Sequence, residues 1–201
     1  GELNSSVLEC LCDRLENDAS AYVRSVAAGS VGCFVRRIVD VNEEIDLVAK
    51  SFAALIESLN REENRVSMNI EQARSIKFAR PTDDCDVSEG AGMDYGIDRL
   101  RPVRSVVREN ALWSLVIICT QNFKIIPENT VDLIRKLASI ISEDQNVFSV
   151  GLAIDALRRL NATLQNCENV TEITRDIMSQ ALKKIDQFPI KCAESTYRVT
   201  S

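Results

Sequence analysis

The chain has 201 residues, 45% of them hydrophobic and 27% charged, with 24 basic and 30 acidic side chains, a net charge of -6 and no histidine. The missing imidazole removes histidine triads, histidine general bases and histidine metal ligands. Seven glycines and four prolines are too few for a β-rich chain of tight turns, and 5% aromatics are thin for a base-stacking surface.

In chain order, almost everything reads as amphipathic helix. Asn4 and Ser5 are placed to cap a first helix running to Asn17, with Val7, Leu8, Leu11 and Leu15 at helical spacing. Asp18, Ala19 and Ser20 break it, and Ser20 is a good N-cap for a second helix. That helix carries Val23, Val26, Ala27, Val31, Phe34, Val35 and Ile38 on one stripe. A third helix is predicted over 42–60, with Ile45, Val48, Phe52, Leu55, Ile56 and Leu59 as its buried face, and a weaker one over 64–80.

Residues 81–98 change character. They start at Pro81, hold Gly90, Gly92 and Gly96, and contain Asp83, Asp84, Asp86, Glu89, Asp94 and Asp98 with no basic residue. This is the composition of a flexible acidic insertion. Helical patterning resumes over 103–121, and three further helices are predicted over 130–142, 146–164 and 170–187. The polar tail 188–201 is expected to fray. The expectation is an all-α chain of about eight helices, one long loop and no strand. No apolar run reaches the ~18–20 residues that span a bilayer. The chain opens on Gly1, which fits a piece excised from a longer protein.

Charge is uneven along the chain, -9 over residues 1–98 and +3 over 99–201. The whole lacks the basic field that general nucleic-acid binding requires. Seven cysteines stand at 10, 12, 33, 85, 119, 167 and 192, without a C-x-x-C pair. They read as free, mostly buried thiols of a reducing compartment, cytoplasmic or nuclear. Asn161-Ala-Thr163 and Asn169-Val-Thr171 fit the glycosylation sequon and matter only in a secreted chain.

Short breaks between neighbouring helices imply antiparallel hairpins. Three segments repeat a spacing: Val23-Arg24 before Ala27, Ser30 and Val31; Val107-Arg108 before Ala111, Ser114 and Leu115; and Ala153 before Ala156 and Leu157. Ala27 and Ala111 lie 84 positions apart, Ala111 and Ala153 42 apart, so one period fits all three. On these residues the chain resembles HEAT repeats. The resemblance implies a short HEAT- or armadillo-like α-solenoid of about four units, a single repeat domain over 1–201 with 81–98 inserted. It also implies a ladder of turn aspartates and second-helix arginines, here Asp18, Arg24, Arg108 and Asp144. The third match departs from the pattern, with Ser149-Val150 where Val-Arg is expected. A closed helical bundle would carry the same stripes.

Function follows as a class: a non-catalytic protein-interaction or scaffold module, binding on a helical surface. The loop acids Asp83, Asp84, Asp86, Glu89, Asp94 and Asp98 are candidates to capture a basic segment of a partner or of the parent chain; solvation alone also accounts for them. As a calcium loop they fail, because Glu89 stands where the tight-turn glycine belongs and Tyr95 where the bidentate acid belongs. Arg99, Arg101, Arg104 and Arg108 follow the loop and read as neutralised by it. Cys10, Cys12 and Cys85 lack a base to make a thiolate, and Cys85 sits among aspartates. Trp113 reads as core. No catalytic residue, cofactor or metal site is expected. The alternative function is a regulatory or substrate-docking part of a larger enzyme or nucleic-acid-associated complex.

Overall fold

A computed structural model describes residues 2–38, 40–76, 106–144 and 146–187. Among the described residues the chain forms seven helices and no strand: α1 (Glu2–Asn17), α2 (Ala21–Arg36), α3 (Ile45–Ile76), α4 (Val106–Cys119), α5 (Thr130–Glu143), α6 (Val147–Leu164) and α7 (Glu172–Gln187). None of them is long and apolar enough to cross a membrane.

Local chemistry sets the helix limits. The Asp18 carboxylate accepts from the Ser20 amide at 2.9 Å, and Ser20 Oγ accepts from the Val23 amide at 3.5 Å, so the break between α1 and α2 is the capped turn read from sequence. Asn146 caps α6 in the same way, taking the Phe148 amide at 3.0 Å. Two expectations change. Asn4 and Ser5 lie inside α1, where Ser5 Oγ donates to Glu9 and Asn4 to Glu44. The helices expected over 42–60 and 64–80 are one continuous α3 as far as Ile76. The charged residues 61–63 between the two expected helices include neither glycine nor proline, and Arg and Glu are good helix formers.

The helices pack in two rows. α1, α3, α5 and α7 follow one another in the first, α2, α4 and α6 in the second, and α1, α3 and α5 each also pack on the second-row helix that follows or precedes them. Neighbours within a row run parallel. Asn110 Nδ2 on α4 donates to Ser25 Oγ on α2 at 2.8 Å, and one turn on Ser114 Oγ donates to the Ala28 carbonyl at 2.6 Å. On the next seam Asn146 donates to Glu109, and Thr163 Oγ1 donates to the Cys119 carbonyl at 2.9 Å. The first row has the same sense: α1 meets α3 at Glu9 with Lys50, and at Glu16 with Arg61.

One apolar core fills the space between the rows, with Phe52, Leu55 and Leu59 from α3, Leu112, Leu115 and Ile118 from α4, and Leu133, Ile134 and Leu137 from α5. Ala27, Ala111 and Ala153 are all buried. The closest approach is between α2 and α4. A Cβ built on Gly32 would lie 2.6–2.8 Å from Ser114 atoms, including its Cα. Glycine at 32 is what lets the two helices meet at this distance.

The inter-helix loops are hooked together by asparagines. Asn42 Oδ1 accepts from the Lys124 amide at 2.7 Å and its Nδ2 donates to the Asn122 carbonyl. Asn169 repeats this one unit on, accepting from the Ile126 amide at 2.6 Å and donating to its carbonyl. Both sequons are therefore built into the fold: Asn169 is bonded on both ends of its amide, and Thr163 is buried.

Candidate interaction surface

The loop acids Asp83, Asp84, Asp86, Glu89, Asp94 and Asp98 lie outside the described residues, as do Cys85, Arg99, Arg101 and Arg104. The tail expected to fray, 188–201, lies outside them too. The candidate site that the structure does describe is the outward face of the second row.

The repeat spacing places the same face of α2, α4 and α6 side by side. Tyr22, Val106 and Phe148 hold equivalent positions near the helix starts and all are exposed, Tyr22 by 79% and Val106 by 56%. One turn on, Val26 is 50% exposed. Trp113, expected in the core, is 44% exposed at the middle of the middle helix. The reason is that α4 is apolar nearly all round, so no stripe marks which side turns inward; Leu112, Leu115 and Ile118 take the core and leave Trp113 outside. Gly29 stands at this level on α2 and Gly151 one turn earlier on α6, and a Cβ at either would meet open space. Val26 was also expected on the buried stripe; it sits on the outer edge of α2, whose buried side runs through Ala27, Ala28, Val31 and Val35.

The charges of the second-row helices are of one predominant sign. The second row holds Arg24, Arg36, Arg108, Arg158 and Arg159 against Glu109 and Asp155. Arg24 and Arg108 are consumed structurally. Arg24 is buried; its Nε meets Glu62 of α3 at 3.2 Å and its Nη1 donates to the Asp18 and Ala19 carbonyls at 2.9 and 3.0 Å. Arg108 reaches Asp144, in the turn before α6, at 2.8 Å, with side chains 16% and 8% exposed. Arg108 thus has a carboxylate partner in a neighbouring turn, Asp144. The Asp18 carboxylate instead binds the Ser20 amide and lies 3.7 Å from Arg14. Glu62 carried no sequence signal, because its partner is 38 residues away. Arg159 pairs with Asp155 on the surface at 2.9 Å. The side chains of Arg36, Arg37 and Arg158 make no hydrogen bond or ion pair with the described residues and are exposed.

Thiol chemistry finds little support. Cys10 and Cys33 are exposed, correcting the expectation of mostly buried thiols, while Cys119 and Cys167 are buried. Burial, with Glu16 nearby, pushes the Cys12 thiol up to about 11, and burial raises Cys119 and Cys167 as well. These thiols stay protonated at neutral pH. No cluster of cysteine and carboxylate side chains suited to a metal occurs among the described residues. A cleft of about 530 Å³ lies between the end of α6 and α7, with Leu164, Val170, Met178 and Leu182 as its apolar wall and Arg175 and Lys183 among its polar lining.

No protein-family model matches the chain, and neither a curated protein nor a solved structure does.

Proposed function

We propose that the chain is a non-catalytic protein-interaction module of HEAT- or armadillo-like repeats, taking its partner on the outward face of the second row. The observation that carries this reading is the face itself: aromatic and aliphatic side chains, with Trp113 at their centre, recur at the repeat spacing on three parallel helices where solvent reaches them. Exposed apolar groups arranged this way are the usual mark of an association surface. The repeat reading draws support from the row order and from the registers of the two seams. Hydrogen bonds tie residues 85 apart on α2 and α4 and 44 apart on α4 and α6, close to the sequence periods. The free thiols favour a reducing compartment, cytoplasm or nucleus.

The acidic loop acts as a second, electrostatic contact in this reading. The test is an affinity capture from lysate with three baits: the intact chain, the chain with the six loop acids changed to Asn or Gln, and Trp113→Ser. A partner kept by the loop variant and lost by Trp113→Ser supports the helical face. A partner lost on loop neutralisation and at high salt moves the site to the loop. Absence of any partner sinks the module reading in favour of a spacer.

A further inference from the structure

We propose that the partner segment seated on the second-row face is an acidic amphipathic helix, with an apolar anchor over Trp113 and carboxylates reaching Arg36, Arg37 and Arg158. The inference rests on the module reading above and adds the chemistry of the occupant. Charge complementarity decides its sign. The whole chain is acidic, yet α2 contains no carboxylate at all, and the cations of the face that have no partner among the described residues stand at its borders: Arg36 and Arg37 at the end of α2, Arg158 on α6. The single carboxylate on α6, Asp155, is already held by Arg159. An incoming acid meets a border of exposed guanidinium groups, suited to bidentate carboxylate bonds. An incoming base meets no free carboxylate on α2.

The apolar middle decides the class. Phosphate backbones are bound by fields of many cations, and three exposed arginines around Tyr22, Val26 and Trp113 are not such a field. Aromatic side chains bordered by arginine are instead the usual composition of a protein hot spot. Dimensions agree. Helices packed at 8–10 Å put α2 and α6 about 20 Å apart across α4. Roughly four turns of helix, ~14 residues at 1.5 Å rise, span that distance with apolar anchors repeated along one face at about i, i+4, i+7 and i+11.

Trp113 is the only tryptophan in the chain, so its emission reads the site directly. The experiment titrates the full chain with a synthetic helix-forming peptide carrying Leu and Phe anchors on one face and Glu elsewhere. In parallel it titrates the same peptide with Lys for every Glu, and a single-stranded oligonucleotide. The expected result is a saturable blue shift with the Glu peptide only, weakened at high salt. By peptide anisotropy, Arg36→Glu with Arg158→Glu should cost about tenfold in affinity. Trp113→Ala, a change at a half-exposed position, should abolish binding with the helical circular dichroism retained. Binding of the Lys peptide but not the Glu peptide overturns the acidic-partner inference and leaves the module reading standing. Preferential binding of the oligonucleotide overturns both. No response to any of the three overturns the inference, and the captures above then decide the module reading.

Discussion

The two seams of the second row hold by different means. Between α2 and α4 the helices are brought together by small residues and tied by hydroxyl and amide bonds: Gly32 under Ser114, Ser114 to Ala28, Asn110 to Ser25. Between α4 and α6 a largely buried ion pair, Arg108 with Asp144, closes one end and Thr163 the other, with apolar packing through Ala153, Ala156, Leu157 and Leu160 between them. One spacing of alanines thus supports two kinds of contact. The first is unforgiving of added volume; the second is sensitive to lost charge.

The largest expected effect separates the second seam from an ordinary surface pair. Asp144→Ala leaves Arg108 without its carboxylate in a largely buried setting, which should cost about 3 kcal/mol in denaturant unfolding. Asp155→Ala breaks an exposed pair of similar length and should cost under ~1 kcal/mol. Equal losses would erase the distinction. Next comes the first seam. Gly32→Ala forces a Cβ against the Ser114 backbone and should destabilise by about 2 kcal/mol, seen as a lower denaturant midpoint. Three residues earlier on the same helix, Gly29→Ala enters open space and should stabilise by about 0.5–1 kcal/mol. A loss at position 29 would mean that the outward face of α2 is already covered.

A further effect is alkaline and belongs to the first row. The Cys12 thiol ordinarily titrates near 9 and is raised to about 11 when folded. The unfolded chain therefore releases its proton first, and stability falls as pH rises from about 9, the Cys12 share levelling off near 11. Below pH 9 that contribution is fully present. Cys12→Ala should flatten this part of the midpoint-versus-pH curve. With a thiol reagent at pH 8, exposed Cys10 and Cys33 should label first and Cys119 only on unfolding.

Much of the helix arrangement was legible because it depends on local chemistry. Ser20 and Asn146 announce helix starts, and the recurrence of Ala27, Ala111 and Ala153 announces the row. The unbroken α3 was hidden by charge, since the stretch 61–63 resembles a solvated break while being good helix. The site was less legible. Its centre, Trp113, lies on a helix apolar on every side, where periodicity carries no direction. The roles of Glu62 and Gly32 depend on partners 38 and 82 positions away, and pairing at that range leaves no mark in a single sequence.

The row order also sets how the molecule comes apart. Among the described helices α7 packs mainly on α5 and to a lesser extent on α6, and it buries little beyond Thr174, Met178 and Ala181. α4 is enclosed by α2, α3 and α6. Amide deuterium uptake should therefore proceed as a front from the carboxyl-terminal end, α7 exchanging through its own local opening while α4 waits for the whole chain to open. A change that loosened α7 would leave the protection of the α2–α4 amides almost untouched, and a change at Gly32 would lower it throughout.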